Sequence, residues 1–125
     1  GTPNPEALAY YNALIDELLA HKIAPYVTLF HWDYPQCLHD EYGSWLSRES
    51  CRDFEAYATI CFRAFGDRVK NWITMNEPTI VTVCAYVMGE HAPGNRNHPE
   101  TEPYLAGHHM LLAHARAASR YHRDF

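Results

Sequence analysis

The chain has 125 residues, 47% hydrophobic and 20% charged, with a formal net charge of −5. So apolar a chain buries enough surface to offset its lost chain entropy, which excludes disorder, and its length suits one domain and not two. Lysine and arginine are scattered without a basic stripe, which argues against nucleic acid, and no apolar run approaches the ~20 residues of a membrane helix.

Pro5 and Glu6 open a first helix, in which Leu8, Tyr11, Leu14, Ile15, Leu18 and Leu19 recur at helical steps. Tyr26-Val27-Thr28-Leu29-Phe30-His31 is rich in β-branched and aromatic residues and reads as a strand, with Pro25 at its first position. Trp32 to Ser47, with Pro35 and Gly43, reads as a long loop, a place where function often resides. Ser50 is expected to cap a second helix whose stripe is Phe54, Tyr57, Ala58, Cys61, Phe62 and Phe65, and Gly66 to stop it in the left-handed conformation. A second strand runs from Val69 to Asn76 and ends before Pro78. After another loop, Gly89 to Pro99, a last helix starts near Pro103 and runs through Leu105, Leu112, Ala115 and Ala118 towards Tyr121. Repeated βα units imply parallel strands, which an open doubly wound sheet and a closed (β/α) barrel satisfy equally.

Both strands end in polar clusters, His31-Trp32-Asp33 and Asn76-Glu77-Pro78. Active sites of parallel α/β folds collect at the carboxyl ends of strands, and these clusters lie about one βα repeat apart, so they should converge on one cleft. Glu77 is the candidate general acid, because a carboxyl group beside apolar walls tends to keep its proton. Pro78 should restrict Glu77 to an extended backbone, and Asn76 offers a donor and an acceptor to a sugar hydroxyl. Taken singly, Glu77 would serve equally as one half of an ion pair, His31 as a core histidine, Trp32 as a plug and Asp33 as a loop cap. Together they suit a polyhydroxylated ligand better than they suit packing.

Nine histidines raise the question of a metal, yet neither His-Glu-x-x-His nor a Cys/His finger spacing occurs, and no metal site is expected. His108 and His109 are adjacent and point off different sides of their helix. Cys37, Cys51, Cys61 and Cys84 form no CxxC pair, so reduced thiols in a cytoplasmic protein are expected.

These residues resemble glycoside hydrolase family one, the β-glucosidases and their relatives. The resemblance rests on Tyr10-Tyr11-Asn12, Ile15-Asp16, the run from Pro25 to Pro35, Phe65-Gly66-Asp67-Arg68-Val69-Lys70, the run from Trp72 to Pro78, Ala92-Pro93-Gly94 and Leu112-Ala113-His114-Ala115. These cover nearly the whole chain in the family's order and spacing. The resemblance implies an α/β fold, residues 1–125 forming part of a single (β/α)8 barrel, with the two strands as its third and fourth and no second domain. It implies Glu77 as catalytic acid/base, Asn76 on the sugar 2-hydroxyl, His31 and Trp32 around the non-reducing terminal sugar, and no cofactor.

Retaining hydrolysis also needs a nucleophilic carboxylate about 5 Å from the acid. In this family it is a Glu followed by Asn-Gly, and no glutamate here is so followed. A barrel typically takes ~250 residues, so this chain reads as a fragment that is inactive alone and needs the remainder of the barrel as partner. The residue after Asn-Glu-Pro is often aromatic in the family and is Thr79 here, so aglycone preference does not carry over. Two other readings stay open: a non-catalytic, receptor-like barrel, and another barrel glycosidase family that also ends its fourth strand in Asn-Glu-Pro.

Overall fold

A computed structural model describes residues 2–125. Helix α1 (Pro5–Ala20) is capped by Asn4, whose side chain accepts the Glu6 amide at 3.0 Å. Strand β1 (Tyr26–Phe30) leads into a short helix α2 (Gln36–Tyr42), a 3-10 turn (Ser44–Leu46) and the long helix α3 (Glu49–Phe65). Strand β2 (Asn71–Met75) follows, then helix α4 (Pro78–Val83), a wide π-type turn (Cys84–Met88) and helix α5 (Glu102–Asp124). The strands pair in parallel, with Tyr26 opposite Asn71, Thr28 opposite Ile73 and Phe30 opposite Met75. Neither outer strand edge is paired among the described residues.

The core lies where α3 and α5 pack on each other and on the sheet. Phe54, Ala58, Cys61, Phe62 and Phe65 of the α3 stripe are buried as the periodicity predicts. Tyr57 is not: its ring is half exposed and its hydroxyl donates to the Leu29 carbonyl at 3.0 Å. On α5 the buried residues are Glu102, Ala106, His109, Met110, Ala113 and Ala117. The expected stripe through Leu105, Leu112, Ala115 and Ala118 is therefore displaced. Alanines let α5 approach α3 closely enough for the Cys51 thiol to reach the His109 carbonyl at 3.3 Å, so small residues and not leucines mark the buried face. On α1 only Ile15 is buried, and Tyr11, Leu14 and Leu19 stay exposed together with Tyr26 of β1. On the other side Ile73 and Leu111 are exposed.

Several local expectations are corrected. The stretch 32–47 is not an irregular loop, since it holds α2 and the 3-10 turn, with Gly43 (φ +80°) supplying the left-handed residue between them. Ser50 does not cap α3. Ser47 does, accepting the Glu49 amide at 3.2 Å, while Ser50 lies inside the helix and its hydroxyl donates to the Ser47 carbonyl. Gly66 is right-handed (φ −68°), and glycine is needed there because a side-chain carbon would run into the Phe62 carbonyl. Residues 78–88 carry no strong period in the sequence, yet they form α4 and the π-type turn. The four thiols are unbridged, and no helix among the described residues is long and apolar enough to cross a membrane.

Candidate active site

Parallel pairing puts the carboxyl ends of β1 and β2 side by side, so the residues leaving them share one rim. A backbone hydrogen bond continues the pairing past the strands, from the Asn76 amide to the Phe30 carbonyl at 2.9 Å. The indole Nε1 of Trp32 then donates to the Asn76 carbonyl at 3.1 Å. This bond ties the two polar clusters together at the peptide that joins Asn76 to Glu77.

The chain turns at two strained residues here. Trp32 has φ +76° and Glu77 has φ +43°, both left-handed without being glycine. Each such residue costs of order 1–3 kcal/mol and persists only where its surroundings over-determine it. The expected extended backbone at Glu77 is thus corrected. Helix α4 starts at once with Pro78, and the reversal from strand to helix is made at the single residue Glu77, whose carbonyl accepts the Val81 amide at 3.2 Å.

Of the predicted site residues, Trp32 and Asn76 are half-buried and in direct contact. The His31 ring stands edge-on to Trp32 at 5.5 Å and is exposed. Glu77 adjoins Asn76 and is exposed, so the apolar walls expected around its carboxyl group are not supplied by residues 2–125. Asp33 turns elsewhere. It lines a cavity of about 240 Å³ with Leu29, Phe30, Tyr34, Trp45 and Phe54.

Two features escape the sequence. His91 lies over Trp32, with ring centroids 5.1 Å apart and planes at 35°. The only signal for it is its place beside Ala92-Pro93-Gly94, in a segment that reads as plain loop. The second is a hydroxyl chain. Tyr42 donates to Asp53 at 2.6 Å and lies 3.0 Å from the Tyr34 hydroxyl, binding the segment after β1 to α2 and α3. Burial pushes the Tyr34 phenol up to about 12. Burial and, next, the bond to Asp53 raise Tyr42 as well. Among the described residues no group of three His, Cys, Asp or Glu side chains is placed to hold a metal ion.

An indole, two imidazoles, an amide and a carboxyl group therefore share one rim, the mixture of flat faces and two-way hydrogen-bonding groups that a polyhydroxylated ring requires. The chain is 50% identical to beta-glucosidase 25 of Oryza sativa subsp. japonica, over all of this chain and 27% of that protein. It superposes on the crystal structure of the rice Os3BGlu6 beta-glucosidase with a TM-score of 0.96 at 49% identity, covering all of this chain and 28% of the other. On a Thermotoga maritima beta-glucosidase in complex with glucoimidazole the TM-score is 0.92 at 43% identity, over 98% of this chain and 27% of that one. The two strands and their helices are thus a slice of a (β/α)8 barrel, and the chain spans about a quarter of the length of the relatives it matches. The model of glycosyl hydrolase family 1 matches residues 1–125 from end to end, and the chain belongs to that family.

Proposed function

We propose that this chain supplies the acid/base half of a retaining β-glycosidase that removes terminal non-reducing β-linked glucose or a similar sugar. Glu77 protonates the glycosidic oxygen as the leaving group departs, then takes a proton from the water that attacks the glycosyl-enzyme. Asn76 holds the sugar 2-hydroxyl, while His31 and Trp32 line the subsite of the same ring. The nucleophilic carboxylate and the apolar walls around Glu77 come from the rest of the barrel. That partner covers the unpaired strand edges and the apolar side chains exposed beside them, Tyr11, Leu14 and Tyr26 on one side and Ile73 and Leu111 on the other. A cytoplasmic location belongs to the same proposal and accords with the unbridged thiols.

The observation that carries the reading is the Trp32 to Asn76 bond, which joins the two strand ends beside Glu77. The test is rescue of Glu77→Ala by azide in the complete barrel, on an aryl glucoside with a good leaving group. A rescued rate and a β-configured glucosyl azide are expected, because azide then attacks a glycosyl-enzyme no longer shielded by the carboxylate. An α-configured product would make Glu77 the nucleophile, and absence of rescue would remove it from the reaction.

A further inference from the structure

The Asn76–Glu77 peptide is gripped from both sides: the Asn76 amide by the Phe30 carbonyl, the Asn76 carbonyl by the Trp32 indole, and the following Glu77 carbonyl by the Val81 amide. Of these grips the indole alone is a side chain, and Trp32 itself stands on a strained backbone at φ +76°. Something must hold that ring in place. His31 touches its edge, and its face lies against His91.

His91 is itself firmly placed. Its amide donates to the Cys84 carbonyl at 3.2 Å, an acceptor it shares with the Glu90 amide at 2.9 Å, so the wide turn at 84–88 sets the start of its loop. Its carbonyl accepts the Gly94 amide at 2.7 Å. Its ring Nδ1 is buried and has no hydrogen-bond partner among the described residues, so what the ring offers to Trp32 is a flat face and not a polar bond.

We propose that His91 is a positioning residue for the acid/base. Its ring clamps Trp32, and Trp32 in turn holds the Asn76–Glu77 peptide in the orientation that aims Glu77 at the leaving oxygen. The proposal rests on Glu77 being the acid/base. Loss of the clamp lets the indole tilt, frees the Asn76 carbonyl and lets Glu77 relax from φ +43°. A displacement of about 1 Å at a reacting group costs on the order of 100-fold in rate.

The test uses the complete barrel enzyme and kcat/KM, which reports only the glycosylation step, on two substrates. Methyl β-glucoside needs the acid and has almost no aglycone, whereas 2,4-dinitrophenyl β-glucoside has a bulky aglycone and needs no acid. His91→Ala is expected to lower the methyl glucoside value about 10- to 100-fold and to leave the dinitrophenyl value within about threefold. His91→Phe, which keeps the flat face and drops the unpartnered nitrogen, should restore the methyl value to within about threefold. Should the alanine variant fail to fold, His91→Leu takes its place. Equal losses on both substrates, a loss confined to the dinitrophenyl substrate, an unchanged methyl value, or a phenylalanine variant as poor as alanine would each overturn the clamp. Glu77→Gln run in parallel separates the two claims: if it slows both substrates equally, the acid assignment itself fails, whatever His91 does.

Discussion

Trp45 gives the sharpest test of how the core supports the rim. Its side chain is 1% exposed and meets Phe30 at 5.2 Å, Tyr34 at 5.3 Å and Phe54 at 5.9 Å, all edge-on, beneath the segment that carries Trp32. Trp45→Ala should cost about 3–5 kcal/mol, since the lost transfer energy and the cavity add. Trp45→Phe is a different matter. It removes two ring carbons, worth roughly 1–2 kcal/mol at ~0.8 kcal/mol per buried carbon. It also removes Nε1, which is buried without a partner among the described residues, and an unpaired buried donor costs about 1–3 kcal/mol. The two effects nearly cancel, so Trp45→Phe should lie within about 1 kcal/mol of the parent. Urea unfolding of the complete barrel at constant m-value reads both changes from the midpoints. A phenylalanine variant as unstable as the alanine one would show that the indole N–H has a strong partner and would refute the reasoning.

Three further outcomes follow. His109 is 8% exposed and its Nδ1 bonds the Trp45 carbonyl at 2.8 Å, so His109→Phe should cost about 1–3 kcal/mol by orphaning that acceptor; an unchanged urea midpoint would contradict this. Tyr34 and Tyr42 both titrate above their ordinary value of 10.0, so the stability they lend is present below pH 10 and falls as pH rises towards about 12. Replacing both by Phe should flatten that alkaline limb in unfolding midpoints taken from pH 9 to 12. At the acid end, the bond from Arg68 holds Asp67 below its ordinary 3.8, so its contribution is present above that value and fades as pH falls through the depressed one. Asp67→Asn should make the acid limb shallower, and an identical limb would count against the pairing.

Much of the fold was legible because strong periods and caps agree with packing. Both strands, the α3 stripe apart from Tyr57, and the start of α1 are where hydrophobic spacing and Pro5 place them. What escaped has physical causes. The buried face of α5 is made of three alanines, Glu102, His109 and Met110, and of these Met110 alone carries a strong hydrophobic signal, while the exposed Leu105 and Leu111 carry more. Helix α2 and the π-type turn, of 7 and 5 residues, are too brief to show a period. Convergence of Trp32 and Asn76 was legible from the rule that sites gather at strand ends. The left-handed backbone at Trp32 and Glu77 was not, because residue type argues against it and the hydrogen bonds and ring contacts that sustain it are tertiary. His91 was hidden because its contact with Trp32 spans 59 residues of chain and no local pattern announces it.

Leaving-group dependence tests the acid role of Glu77 most directly. For a series of aryl β-glucosides, log kcat/KM is plotted against leaving-group pKa for the complete enzyme and for Glu77→Gln. With proton donation from Glu77, the parent line is shallow and the variant line falls steeply, the two converging at the most activated phenols. Parallel lines, offset by a constant factor, would mean that Glu77 binds the sugar without giving up a proton.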